Sequence, residues 1–399
     1  MAVSVIKGVV GTEAIVSTNV KPDIDTMMKV IEPYQTPLFS WLFLQERNQM
    51  KVTSRYAKYE WYEKEYLPHL EKLVASVTES SGLTFTKTTH LASIDQFNVN
   101  DIVLFEETDE MGYVESVNAT TLVIQHIDGS STLTSLSDTD AYLRIIGKRV
   151  FEYHGRLEAR TVKEVQRYNY LNEFPAYITT SGRYEAGEAY TDGTSHDELV
   201  EQRFKELKKE IEHYLWFAQS KGTVASGNER ATWGEGVDGI LSTNVNSYAG
   251  TLTETQFRNH IKSVLNSGGS NRKIHFAGTE QMDDIEIFMS DKYSVQQNPK
   301  ELSMFEEFGL VAKTYRMFSG IVSLVWNPMF DGKYTNAGYT LDIDNVKLRY
   351  MADDKKGSRK GRIRPNTQDN DKNGTETEIL FDLGLQLEKE VTHGKLFQS

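Results

Sequence analysis

Only a few groups along the 399 residues combine the side-chain types and spacing that chemistry requires. Gly234-Glu235-Gly236-Val237-Asp238-Gly239 has the letters of a dinucleotide-binding glycine motif, which works when a tight strand-to-helix turn brings backbone N–H groups onto a pyrophosphate. Here no β run precedes the motif, Ile240-Leu241-Ser242-Thr243 does not open a helix, and Glu235 and Asp238 would repel phosphate. The segment therefore reads as a flexible loop. Asp369-Asn370-Asp371-Lys372-Asn373-Gly374 reproduces the first half of a calcium loop, whose alternating oxygens and central glycine wrap a hard cation. The position that needs a bidentate carboxylate is Leu380, so this segment reads as a solvated turn.

The nine histidines are dispersed, with no His-x-x-x-His pair and no nucleophile motif, and carboxylate spacing alone selects no acid/base pair. Trp41, Phe43, Tyr59 and Trp61 read as core anchors. No catalytic, cofactor-binding or metal-ligating residue is assigned, and the expectation is a protein that is not an enzyme. What remains is the run from Lys355 to Arg364, with six cations and no acid. It is a solvated loop, or an electrostatic contact with an acidic neighbour or with DNA.

Composition narrows the classes further. At 39% hydrophobic residues the chain can build more than one core, and its length suggests two or three lobes. The 44 Lys+Arg against 57 Asp+Glu leave a net charge of -13, which repels polyanions at long range and argues against nucleic-acid binding along the whole chain. There is no cysteine, so disulfides and thiolate metal sites are excluded and a reducing compartment is the default. Met1 to Val10 shows no secretion signal, and the longest strongly apolar run, Ile321 to Trp326, is too short to span a bilayer. A soluble protein with no membrane partner is expected.

The elements that would position these groups follow from periodicity. Residues 1–20 read as an extended arm, and Ile24, Met27, Met28 and Ile31 as one face of a short helix. Thr36 to Phe43 is a dense apolar anchor, and Tyr56 to Tyr62 a strand. Tyr66 to His90 is polar and Thr/Ser-rich, as in a long projecting hairpin, while 95–147 carries short β runs at close spacing that suggest a compact inserted barrel or sandwich. The strongest helix begins at Ser195, where Glu198 completes a capping box, and its period continues to about Lys221. A glycine-rich loop from Gly222 to Gly239 leads to a second helix capped at Thr253 with Gln256 in the box position. A strand at Lys273 to Ala277, a helix from about Glu280 to Met289, and strands at 310–318, 321–326, 339–350 and 378–391 complete the reading.

In this order the segments resemble the HK-97-type fold of tailed-bacteriophage major capsid (major head) proteins. Ile31 to Leu42 with Tyr56 to Trp61, Asp197-Glu198-Leu199 and Lys208 to Glu212 in the long helix, Val237 to Leu241, Leu341 to Arg349, and His393-Gly394-Lys395 carry the resemblance. It implies an α+β capsid fold with an N-terminal arm and anchor (1–60), an extended hairpin loop (61–94), an inserted β domain (95–150), a peripheral domain with the spine helix 196–221 (151–221), an axial domain (222–335) and peripheral return strands (336–399). It also implies self-assembly as hexamers and pentamers into an icosahedral shell around double-stranded DNA, contacted weakly, within a virion assembled in the host bacterial cytoplasm. Scaffolding, portal and decoration proteins are the further partners it suggests, and no cofactor. An encapsulin-like compartment shares the fold, and a β-rich hydrolase is the alternative from another class. Candidate subunit-interface residues are Arg359, Lys360, Arg362 and Arg364 in the basic run, and Lys64, Glu65, Glu71 and Lys72 in the hairpin. Exposed ion pairs contribute only about 0.2–1 kcal/mol, so changing these residues is expected to impair assembly before folding.

Overall fold

The computed structural model describes residues 36–44, 50–53, 56–64, 66, 68–78, 82–137, 141–152, 162, 164–187, 195–290, 312–317, 319–352 and 359–399. The expected arm, the helix at 24–31, Glu65, Lys355 and Lys356 lie outside them. The chain divides into two compact units, Tyr62–Gln166 and the remainder.

In the larger unit the spine helix runs His196–Phe217, and both halves of the Ser195/Glu198 capping box form. It ends before the expected Lys221 because Ala218 leaves helical geometry with ψ 116°. Leu207, Ile211, Leu215 and Trp216 are its buried stripe. They face a sheet built around the long strand Gly374–Leu387, which is almost wholly buried from Ile379 on, as a strand covered on both faces must be. Asn172–Ser181 pairs along one edge of that strand, and Val346–Met351 followed by Lys360–Pro365 along the other. Met50–Thr53 adds parallel to Val346–Met351. Phe381 packs on Phe204 of the helix at 5.8 Å and on Phe39 of the helix Pro37–Leu44 at 6.0 Å.

A second sheet of the same unit has the order Val245–Tyr248, Gly394–Gln398, Ala337–Asp342, Arg272–Ala277, Gly320–Trp326, Ala312–Met317. Arg272–Ala277 and Gly320–Trp326 are parallel, with the helix Thr279–Ser290 following the first of them. The helix Glu254–Asn266 carries the expected Thr253/Gln256 box. Trp216 joins helix and sheet, with ring centroids 5.2 Å from Phe276, 4.9 Å from Phe330 and 5.2 Å from Tyr339.

Two expectations about this unit need correction. Residues 339–350 are not one strand: Asp342 accepts from Asp344 N and starts a 3-10 turn over Ile343–Asn345, which sends the chain from one sheet to the other. The stretch 336–399 therefore contributes strands to both sheets and not to one alone. Nor is Gly222 to Gly239 a plain loop, because Gly222–Ser226 and Glu229–Trp233 form a hairpin and Val237–Ile240 a single helical turn.

The smaller unit is one six-stranded antiparallel sheet, in the order Leu70–Lys72, Tyr142–Lys148, Asp101–Phe105, Met111–Val117, Thr121–His126, Gly82–Thr86. Bridges Leu73↔Leu91 and Lys87↔Leu91 bring the continuations of both edge strands to one residue, which curls the sheet into a barrel-like form. Its core stacks Phe85 on Phe105 at 6.3 Å. The expected β module is there, but it starts earlier than residue 95: the stretch assigned to a projecting hairpin supplies both edge strands and buries Leu73, Leu83, Phe85 and Leu91. The chain passes into and out of this unit through Lys58–Glu63 and Val165–Tyr170, which pair with each other.

Candidate assembly interface

The basic run is built into the sheet. Lys360–Pro365 pairs with Gly374–Leu387, so the cations meet acids that the local sequence does not contain. Arg359 Nη2 lies 2.5 Å from Glu173 Oε1, and its Nε 3.5 Å from Asp382 Oδ2. Arg364 Nη1 lies 3.2 Å from Glu378 Oε2. Lys360 Nζ sits 5.3 Å from the Phe43 ring centroid, a cation–π contact, and burial lowers its pKa. Arg362 stands opposite Leu380 in the register. Burial also pushes Asp382 up to about 6, against the opposing pull of Arg359.

The residues expected from the hairpin belong to the smaller unit. Glu71 accepts from Ser93 N at 2.8 Å and from Gln96 Nε2 at 2.6 Å, so it fastens a loop inside the smaller unit. Lys72 pairs in register with Tyr142, and Lys64 is exposed. The described candidates belong to two different units, Arg359, Lys360, Arg362 and Arg364 to the larger and Lys64, Glu71 and Lys72 to the smaller.

The glycine motif is preceded by a strand, contrary to expectation, but the single helical turn Val237–Ile240 lies within it and Ile240 to Thr243 opens no helix, as expected, and it makes no phosphate cradle. A Cβ on Gly236 would lie 2.6 Å from the Leu215 carbonyl and one on Gly239 2.5 Å from that of Ala218, so these glycines let the segment press against the end of the spine helix. Glu235 pairs with Lys221 at 2.8 Å, and Asp238 holds Tyr339 Oη at 2.7 Å together with Lys395 Nζ. The calcium-like segment is a turn closed by Lys372 N donating to Asp369 O at 3.0 Å and by the Lys372–Asp369 ion pair. Among the described residues no cluster of His, Asp or Glu could hold a metal ion, and no helix is long and apolar enough to cross a membrane.

Three polar constructions escaped the sequence reading. Glu212, on the spine helix and fully buried, accepts from Leu38 N at 3.0 Å, Phe39 N at 2.6 Å and Trp216 Nε1 at 2.8 Å. It caps backbone donors at the start of Pro37–Leu44, and burial pushes it up to about 7 against the pull of those donors. Lys273 and Asp342, both fully buried, pair at 2.9 Å. His260 Nε2 and His275 Nδ1 both meet Thr340 Oγ1, at 3.0 and 2.9 Å, and His275 Nε2 reaches Gln281 Oε1 at 3.1 Å. Burial lowers His260 to about 3 and His275 to about 4, so both rings are neutral at pH 7. Each construction is closed by partners within its own chain.

With the polar groups accounted for as framework, identity rests on comparison. The profile of the SU10 major capsid protein family matches residues 8–398. This chain belongs to that family. Family membership makes it a capsid protein, whose copies assemble with one another and whose place is the virion. No curated protein matches the chain. Among solved structures it is similar to the capsid of a native GTA particle (9% identity, 97% of each chain covered, TM-score 0.48). It is also similar to Mycobacterium phage Bobi (9% identity, 96% of this chain and 97% of that one, TM-score 0.45) and to the SrpI encapsulin of Synechococcus elongatus (10% identity, 59% and 77%, TM-score 0.39).

Proposed function

We propose that this major capsid protein forms hexamers and pentamers that close into an icosahedral shell around double-stranded DNA, and that it catalyses nothing. The family match over residues 8–398 carries this reading. Two features support the finer statements. The net charge of -13 suits an inner wall that touches packaged DNA weakly, since a basic wall would retain the genome by counterion release. His260, His275 and His393, whose pKa values burial depresses, are buried within the fold and hydrogen-bonded there, as structural groups are.

Assembly in the host bacterial cytoplasm, and help from scaffolding, portal and decoration proteins, belong to the same proposal. So does a role between subunits for Arg359, Lys360, Arg362, Arg364, Lys64, Glu65, Glu71 and Lys72. Of the described ones, Lys64, Lys72 and Arg364 keep enough exposed surface to reach a neighbour while the chain stays folded.

Expression of the chain followed by negative-stain microscopy tests the reading. Closed shells or capsomer rings are expected, and monomers alone under assembly conditions would overturn it. Nuclease-protected DNA in particles recovered from infected cells separates a phage shell from an encapsulin-like compartment, which would hold protein instead.

A further inference from the structure

The hairpin of Gly222–Ser226 and Glu229–Trp233 belongs to neither large sheet. Among the described residues, each of its strands pairs only with the other. Residues 223–231 are all exposed, and Val224 is 56% exposed. A two-stranded ribbon standing alone in water is marginally stable, so this one is incomplete as it stands.

Its two outer edges are not equivalent. Glu229–Trp233 carries Glu229 and Arg230, and its base is tied down by Thr232 Oγ1 donating to Leu171 O at 2.8 Å. Gly222–Ser226 reads Gly-Thr-Val-Ala-Ser, without the charge or proline that keeps edge strands from pairing. The turn is the two-residue loop Gly227-Asn228 with φ 60° at Gly227, so Ser226 and Glu229 form the hydrogen-bonded pair next to it. Alternation along the ladder then turns the N–H and C=O of Thr223 and Ala225 outward. Two donor–acceptor sets thus flank Val224 symmetrically on the uncharged edge.

We propose that this edge pairs antiparallel with the same edge of a second copy of the chain, Thr223 opposite Ala225 and Val224 opposite Val224. The pattern is its own complement about Val224, which is what an isologous contact requires. Membership of a capsid family places identical copies side by side. The inference rests on the proposal that this chain builds a shell, and it names one contact within that shell.

The test exploits the absence of cysteine from the sequence. In the proposed register Val224 and its counterpart form a non-hydrogen-bonded pair with Cα atoms about 4.5 Å apart, within disulfide range. Particles of Val224→Cys should give covalent dimers on mild oxidation, the dissociated chain at low concentration should not, and Arg230→Cys on the charged edge should give none. Ala225→Pro removes an outward N–H while sparing the ladder to Glu229–Trp233, and should lower particle yield about tenfold with an unchanged circular dichroism spectrum. Particles of Val224→Cys that do not cross-link, or that cross-link no better than Arg230→Cys, would overturn the contact, as would normal yield from Ala225→Pro. If the wild-type chain forms no particles at all, the shell reading itself fails and the contact with it.

Discussion

Glu212 offers the sharpest test of how the larger unit is held together. Its carboxylate meets two backbone N–H groups at the start of Pro37–Leu44 and one indole N–H, all fully buried, and Asn327 Nδ2 stands at 3.5 Å. Every neighbour is a donor. In Glu212→Ala three buried donors lose their acceptor, at about 1–3 kcal/mol each. Against this, the substitution relieves the burial of a charge: a carboxyl pushed from 4.5 to about 7 returns about 3 kcal/mol at high pH. The balance is a destabilisation of about 3 kcal/mol at pH 8. Glu212→Gln keeps one acceptor but turns an NH2 group on the remaining donors, for a loss of about 1–2 kcal/mol. The pH dependence has a definite sign. A folded pKa raised above the unfolded value contributes stability that is complete below pH 4.5 and is lost as pH rises through about 7. The gap between wild type and Glu212→Gln should therefore be widest near pH 5 and narrow toward pH 8. Denaturant titration of the unassembled chain, followed by tryptophan fluorescence because Trp216 is a direct partner, measures it. A Glu212→Gln protein within about 0.5 kcal/mol of wild type at pH 5 would refute the claim that this cap holds the helix.

Acid should act through the buried histidines. The folded pKa values of about 3, 4 and 4 for His260, His275 and His393 lie below the unfolded 6.5, so their contribution is complete above pH 6.5 and is lost as pH falls toward 4. Thermal melts from pH 7 to pH 5 should lose about 2 kcal/mol per ring, and a flat profile would contradict their neutral burial. Replacing Arg359, Lys360, Arg362 and Arg364 together with Glu should now impair folding as well as assembly, lowering the melting temperature by at least about 3 °C, because the cations are cross-strand partners inside a sheet. An unchanged melt would restore the solvated-loop reading. A fragment of residues 62–166 should fold alone with a β-type circular dichroism spectrum, whereas 95–147 alone should not, since the latter lacks both edge strands.

Local signals in the sequence were legible where local physics decides. Both capping boxes form as read, because a Ser or Thr hydroxyl and the side chain three residues on satisfy each other's backbone donors without help from the rest of the fold. The strands at 101–105, 121–126 and 272–277 announce themselves by apolar content. The edge strand Gly82–Thr86 was hidden, although Leu83-Thr84-Phe85-Thr86 alternates and its burial follows the alternation, because the surrounding Thr and Ser dilute the pattern. The partners of the basic run were hidden for a different reason. Its acids, Glu173, Glu378 and Asp382, stand on other strands, and only the register supplies them. Glu212 was unreadable as a functional group, since what makes it one is a helix N-terminus 174 positions earlier in the chain.

Two of the polar groups that sequence could not reveal sit at junctions between elements. Glu212 lies where Pro37–Leu44 meets the spine helix. The Lys273–Asp342 pair lies where three chain turns converge: Asp342 Oδ2 also accepts from Ser270 N at 2.9 Å and Asn345 Nδ2 at 2.7 Å, while Lys273 Nζ also donates to Gly268 O at 3.2 Å and Thr392 O at 3.1 Å. Asp342 N donates to His393 Nδ1, which fixes the proton on Nε2, where it meets Glu388 O at 3.1 Å. Apolar residues of equal volume could match the stability of such a pair, because the desolvation of two charges offsets much of their attraction. They could not reproduce its geometry. Apolar contacts tolerate sliding, whereas an ammonium with three fixed acceptors and a carboxylate with four fixed donors accept one arrangement of the turns around them. In a chain without disulfides, whose family builds shells from repeated copies, an error in the angle between elements would recur at every subunit. Directional bonds at the joints, with apolar packing between them, meet that requirement.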